Sequence, residues 1–474
     1  MNDALLWLQH EGPKHGLHVS LSKTVVWSPF GIDRQGTEYF RGITHSLDDG
    51  VELLGGAVSK SHGRSGMGAL HLLECCSEQT GMSFIDHLTS LVNLFLSGKA
   101  LPSFAPFMSS ANLIPLLKKD GASIRPIAIG EVLRRLISKC CVRRVNSAAS
   151  SYLQPLQLGV SVRYGAEAIL HSFNRLIRDE TRCDENTVLA LVDFSNAFNR
   201  VNRNSILREV FQHFPQLFGW TQYSYGSKAK LFVGENVIEA SSGVQQGDPL
   251  GPLLFSLVLH PLLLRIRDEF SVTVGAYLDD VTIAGSAQQV NDAVLFLRGS
   301  GPENGLVMSL SKSVVWSPLG HTFNNIGYFQ GMSHSQDDGV ELLGGAVSVS
   351  HEFSSTVVSK RVDKCIETMH RMLDLRDPQL CLMLLRACEG MPKLVYSWRT
   401  TPPEFLDEAT PRFDQEILQA LRWIVVGDGP HFGAFQQGLA SLPASMGGLG
   451  ISLPSDLKCF TYSASALSSG IESL

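Results

Sequence analysis

Apolar and polar positions fall along the chain in short segments that predict interleaved helices and strands. From Ser83 to Leu96, Phe84, Leu88, Leu91, Val92 and Phe95 recur at helical spacing. Asn112–Leu117 and Ile124–Ile129 read as two strands around a turn at Lys119-Asp120-Gly121. A helix from about Glu131 to Asn146 follows, with Arg135, Lys139 and Arg143 forming one basic stripe. That stripe fits a phosphate backbone and a plain solvated face equally well. An apolar strand is expected over 187–194, a helix over 203–213, and short strands over 228–233 and 237–240. The glycine-rich loop Ser242–Pro249 then enters an apolar helix reaching about Ile266. Strands at 271–276 and 281–285 form a hairpin, and a helix of about 287–298 closes this part. Beyond residue 352 the pattern turns helical, over 355–375, 378–389 and 411–424. The irregular interleaving predicts an α+β fold, an antiparallel sheet with helices behind it.

A segment occurs twice. Residues 1–62 align without a gap to residues 290–351, with roughly three positions in five identical. Ser20-Leu21-Ser22-Lys23 returns as Ser309-Leu310-Ser311-Lys312, and Val51–Gly56 returns as Val340–Gly345. The first copy has no acidic hairpin before it and reads as the orphaned tail of a preceding unit. Both copies carry an acidic pair, Asp48-Asp49 and Asp337-Asp338, each followed at once by glycine. That context reads as a solvated turn rather than a metal site.

Composition narrows the class. The 474 residues suffice for two or three domains, and 44% hydrophobic with 18% charged residues is ordinary for a globular protein. No apolar run is long enough to span a bilayer, so no membrane partner is expected. Met1-Asn2-Asp3 lacks the basic start of a secretion signal, and the nine cysteines show no CxxC pairing. The expectation is an intracellular protein, nuclear or cytoplasmic, with reduced thiols. A net charge of −6 runs against a generally basic surface but leaves room for local patches.

The candidate chemistry lies in three carboxylates. Asp193 ends the apolar strand Leu189-Ala190-Leu191-Val192, and Asp279-Asp280 sit at the turn of the later hairpin. Strand-borne carboxylates delivered to one point suit divalent cations, which take hard oxygen ligands. Two such ions about 3.5–4 Å apart stabilise both the attacking and the leaving oxygen of an in-line phosphoryl displacement. This is the requirement of a nucleotidyl-transfer enzyme. An Asp-Asp pair alone usually marks a solvated turn. An upstream strand-end Asp with a glycine-rich loop between them is a more specific pattern.

Asp193-Phe194-Ser195-Asn196-Ala197-Phe198, Gln246-Gly247-Asp248-Pro249-Leu250-Gly251-Pro252 and Tyr277-Leu278-Asp279-Asp280 resemble the successive palm motifs of reverse transcriptases of the non-LTR retrotransposon type. The likeness runs from about residue 85 to 450. It implies a right-hand fold of fingers, palm and thumb, with an antiparallel palm sheet and a helical C-terminal thumb. It implies an RNA-directed DNA polymerase using two Mg2+ ions, with Mn2+ as a substitute, held by Asp193, Asp279 and Asp280. The partners implied are an RNA template with a DNA primer, and deoxynucleoside triphosphates. Lys118 and Arg125 match the residues that clamp the triphosphate, Phe198 the aromatic that rejects a 2′-hydroxyl, and Gln246 and Gly247 the loop against nucleotide and template. Lys312 matches a lysine proposed to protonate pyrophosphate, and is as readily a surface lysine. Leu342-Leu343-Gly344-Gly345 resembles the strand that grips the primer end.

The resulting plan is an orphan duplicate at 1–62, a junction at 63–81, fingers and the start of the palm at 82–186, palm at 187–351, and thumb at 352–474. Leu278 stands where such elements commonly have alanine, and Gly251 where serine is frequent; neither change removes a ligand. No endonuclease, Cys/His zinc motif or ribonuclease H segment is legible, so one module, a fragment or the relic of a disrupted element is expected. The rival readings are an RNA-directed RNA polymerase on the same hand and a catalytically silent nucleic-acid-binding remnant.

Overall fold

The computed structural model describes residues 65–76, 81–117, 124–320, 327–429 and 432–469, together with four short strands at 25–26, 44–45, 50–53 and 56–59. It divides into two compact units. One is Met1–Cys141 with Pro215–Ser241 and Gln245–Pro249; the other is Val142–Phe214 with Ser242–Val244 and Leu250–Leu474.

In the first unit the expected strand pair forms as Ala111–Leu117 against Ile124–Gly130, antiparallel. The hairpin Ala229–Val233 and Asn236–Ala240 joins it, making a four-stranded sheet in the order 124–130, 111–117, 229–233, 236–240. Helices Gly81–Leu96 and Pro215–Tyr225 meet through aromatic edges, with the Phe95 ring 6.0 Å from Trp220 and 5.4 Å from Tyr223. The helix expected to end at Asn146 runs over Val132–Leu153. Ser147–Leu153 holds neither glycine nor proline, and the stop comes only ahead of Pro155.

Beside the basic stripe on that helix lies a basic residue of a different kind. Arg134 is 1% exposed and pairs with the buried Asp248 at 2.9 Å. Its remaining Nη1 donates to the carbonyls of Ser109 at 3.0 Å and Met108 at 3.3 Å. Tyr225 donates to the same Asp248 oxygen at 2.8 Å and accepts from the Gln245 amide at 3.3 Å. A buried charge is tolerated only when its lone pairs and protons are satisfied, and this network satisfies them.

The second unit is built on a five-stranded sheet of β1 (Thr187–Val192), β2 (Thr273–Tyr277), β3 (Asp280–Ser286), β4 (Val314–Trp316) and β5 (Ser333–His334). The order is β2-β3-β1-β4-β5, antiparallel except for β4 with β5. β1 is apolar at consecutive positions because it is central: Val188, Leu189 and Ala190 are all fully buried. Helix Gly165–Arg178 packs Ile169, Leu170 and Phe173 with Leu189, Ala284 and Trp316 of the sheet. The hairpin β6 (Gly339–Leu342) and β7 (Gly345–Ser348) completes that cluster through Val340 and Val347. The C-terminal helices, chiefly His351–Leu373, Met391–Thr400 and Ala409–Val426, enclose a core of their own around Trp398, Phe413 and Leu421.

The duplicated segment repeats its pairing as well as its sequence. Val25↔Thr44 and Gly50↔Ser59 in the first copy match Val314↔Ser333 and Gly339↔Ser348 in the second. The rest of residues 1–62, including Asp48 and Asp49, lies outside the described residues.

Substituting one partner of the buried pair should cost far more than substituting an exposed one. Arg134→Met strands Asp248 and is expected to lower stability by about 3–5 kcal/mol. Arg371→Ala, which removes an exposed pair with Glu367, should cost under about 1 kcal/mol. Urea unfolding of the two variants side by side checks this, and similar losses would show that Arg134 is not the anchor.

Candidate active site

The site begins where β1 stops. The register of β3 on β1 pairs Val281 with Val192 and Thr282 with Leu191, so one step further Asp280 stands opposite Asp193. Residues directly opposite on antiparallel strands carry their side chains on the same face. The segment after β1 is held by a short bridge: Ser309 N–H donates to the Asp193 carbonyl at 2.8 Å, and Ser195 N–H donates to the Val307 carbonyl at 2.8 Å. Asp193 N–H itself donates to Ser313 Oγ at 3.1 Å. Asp193 is therefore held through both of its backbone groups by the 309–313 segment.

The other two carboxylates come from the β2–β3 hairpin. Tyr277 pairs with Asp280, leaving Leu278 and Asp279 as a two-residue turn. Such a turn demands left-handed backbone at its first position, and Leu278 adopts φ 57°. Asp193 and Asp279 are half-buried and Asp280 is exposed.

The three side chains feel one another. Burial, then the charges of Asp279 and Asp193, push the Asp280 carboxyl up to about 6. Asp280 is crowded by neighbouring groups while still reaching solvent. Among the described residues, no three His, Cys, Asp or Glu side chains stand gathered as a ready-made cation cage. Three like charges repel, and the carboxylates drawn from two strands are not closed around a common point. Their chemistry, hard oxygen donors whose mutual repulsion a divalent cation would relieve, nonetheless suits such an ion.

The neighbouring expected residues fall into place to different degrees. Phe198 lies on a helical turn at Ala197–Arg200, half-buried, its ring stacked on Phe255 at 4.8 Å. Its carbonyl accepts from Val244 N–H at 2.7 Å, which ties it to the start of the glycine-rich loop. Lys312 is exposed on the turn after Ser309. Gln246, Gly247 and Arg125 belong to the other compact unit. There Gly247 presses on the edge strand, and a Cβ would come within 2.2 Å of the Ala128 carbonyl. The neighbouring Asp248 is the partner of Arg134, so the buried ion pair anchors this loop. Arg125 is exposed on its strand. Lys118 lies outside the described residues. Asp337 and Asp338 are exposed at the bend before β6, away from any sheet pairing. At Leu343-Gly344 the β6–β7 turn has left-handed backbone at both positions, and Tyr396 donates to the Leu343 carbonyl at 2.9 Å.

Residues 117–347, the stretch that contains all three carboxylates, match the family described as reverse transcriptase (RNA-dependent DNA polymerase). These residues form a reverse transcriptase domain. The chain is 26% identical over 360 residues to the retrotransposable element SLACS 132 kDa protein of Trypanosoma brucei gambiense, covering 72% of this chain and 28% of that protein. It is 29% identical over 219 residues to the Pol polyprotein from the type-1 retrotransposable element R2 of Popillia japonica, covering 41% of this chain and 30% of that one. The chain thus spans less than a third of the length of these relatives. Apo telomerase from Candida tropicalis is similar over 75% of this chain and 65% of its own, at 9% identity and a TM-score of 0.40. Reverse transcriptases generally use divalent metal ions.

Two features of the site were not legible as chemistry. Gln157 touches the acidic turn from 121 positions away in sequence, and Arg134 stands next to the stripe that drew attention to Arg135. Neither residue has a local signature, since each is defined by a distant partner.

The raised Asp280 carboxyl has a consequence for stability without metal. A carboxyl lifted on folding contributes fully below its unfolded value and loses that contribution as pH rises through about 6. In a chelator, the melting temperature should therefore fall between about pH 4 and pH 7 more steeply than in Asp280→Asn. Added divalent cation should restore it at the upper end, because ligands must be deprotonated to bind. Parallel slopes for the two proteins would remove Asp280 from the coupled cluster.

Proposed function

We propose that this protein is an RNA-directed DNA polymerase of retrotransposon type, extending a DNA primer on an RNA template with deoxynucleoside triphosphates. One observation carries the reading: the β1–β3 register sets Asp280 opposite Asp193, with Asp279 in the adjoining turn, inside a reverse transcriptase domain. Asp193, Asp279 and Asp280 would hold two Mg2+ ions, or Mn2+ in their place. Bound there, the ions supply activation of a primer 3′-hydroxyl and charge to offset the departing pyrophosphate.

The remaining roles follow from side-chain chemistry. Phe198 has its ring fixed by Phe255, and a fixed ring can exclude a 2′-hydroxyl by bulk. Arg125 is exposed, and its guanidinium fork would suit a triphosphate together with Lys118. Gln246 and Gly247 are held in place by the Arg134–Asp248 pair for contact with nucleotide and template. Lys312, exposed on the turn that pins Asp193, would give a proton to pyrophosphate. Among the described residues no helix is long and apolar enough to cross a membrane. An intracellular site of action, nuclear or cytoplasmic, accords with these substrates.

Primer extension on matched RNA and DNA templates tests the proposal. Extension of a DNA primer on RNA is expected, falling to background in Asp279→Asn while primer–template binding persists. An unchanged rate in that variant would refute the site. Phe198→Ala should lower discrimination against ribonucleotides by roughly tenfold or more, because a small steric difference is all the gate has to read. A wild type that already prefers ribonucleotides would point to RNA synthesis instead.

A further inference from the structure

Leu278 is a branched residue at φ 57°, a conformation that L residues other than glycine, asparagine and aspartate rarely hold. The two-residue turn calls for this conformation, and a buried side-chain amide holds it there. Gln157 is fully buried, and both ends of its side-chain amide bond this turn. Its Nε2 donates to the Leu278 carbonyl at 2.9 Å, and its Oε1 accepts from the Leu278 N–H at 2.8 Å. The same Oε1 accepts from Gly159 N–H at 3.0 Å.

The backbone around Gln157 makes that contact rigid. Leu158 N–H donates to the Ala276 carbonyl at 2.8 Å, and Ala276 N–H donates to the Leu156 carbonyl at 2.7 Å. Residues 156–158 thus run as a parallel partner to the end of β2, with Gln157 opposite Ala276. The backbone ladder stops there, and the Gln157 amide continues it to the turn residue. Gly159 permits the approach, since a Cβ at that position would lie 2.5 Å from Leu278 N.

We propose that Gln157 is a positioning residue for catalysis: its amide locks the Leu278 backbone and so fixes the direction of the Asp279 and Asp280 carboxylates before any ligand arrives. This rests on the polymerase reading for its catalytic consequence, but not for the clamp itself. Asp279 and Asp280 are like charges on consecutive residues, and their repulsion favours any loosening of the turn that lets them separate. Pre-set ligand geometry is what an in-line displacement requires, because small misplacements are expensive.

The test uses the full chain and two readouts. In Gln157→Leu, amide hydrogen exchange in the peptide that contains Leu278 should quicken at least tenfold, while a peptide from helix Gly165–Arg178 keeps its wild-type rate. The kcat for primer extension should fall at least tenfold, with the primer–template Kd within twofold of wild type. Gln157→Glu keeps the acceptor and loses the donor, so it should fall between the two; it carries the test alone if Gln157→Leu does not fold. Wild-type exchange at the turn, or wild-type kcat with a loosened turn, would overturn the proposal. A kcat loss matched by an equal loss of primer–template affinity would also overturn it, since that is general unfolding. If the wild-type protein extends no primer, the polymerase reading fails, and the exchange result alone decides whether Gln157 holds the turn.

Discussion

The second compact unit depends on one constraint: three carboxylates must be brought to the ends of two neighbouring strands and kept there against their own repulsion. The pairing of β1 with β3 does the bringing. Each backbone hydrogen bond along that ladder helps fix the register, and a slip of one residue would send Asp280 to the other face of the sheet. The fully buried Val188, Leu189 and Ala190 prevent that slip, because their side chains are enclosed on both faces. The apolar core of the sheet is therefore the structural cause of the acidic site at its edge.

The keeping is done by polar groups that the apolar core surrounds. Ser313 takes the Asp193 N–H, and the Gln157 amide takes both backbone groups of Leu278. In the other unit, Arg134 and Tyr225 converge on Asp248 next to the Gln246-Gly247 loop. In both units a residue next to the candidate chemical positions, Leu278 or Asp248, is held by hydrogen bonds from a fully buried side chain. Buried hydrogen bonds are short-ranged and directional, so they transmit position where hydrophobic contact alone would tolerate sliding.

What the sequence revealed and what it hid divide along the same line. The β2–β3 hairpin, the apolar helix after Pro249 and the strand ending at Asp193 are written in local periodicity, and each formed within a few residues of its expected bounds. The three acidic positions were legible because strand-end and turn aspartates stand out against apolar neighbours. Helix Gly165–Arg178 went unread although it supplies Ile169, Leu170 and Phe173 to the core beneath β1. Gln157 and Arg134 were invisible because their partners lie 121 and 114 positions away. Nothing in Leu156-Gln157-Leu158 tells a buried amide from an exposed one until Leu278 is placed against it.

The duplicated segment separates local from long-range information within a single chain. Both copies form the same parallel pair and the same hairpin at corresponding positions. In the second copy, β4 pairs further with β1, Val314 against Leu191, and so joins the sheet that bears Asp193. The residues of β1 and β3 occur once in the sequence, and so do the three aspartates. Duplication has therefore repeated an edge of the sheet without repeating its acidic centre. The centre can be made only where β1, the β2–β3 hairpin and the Gln157 segment come together, which is a property of the whole unit rather than of any one motif.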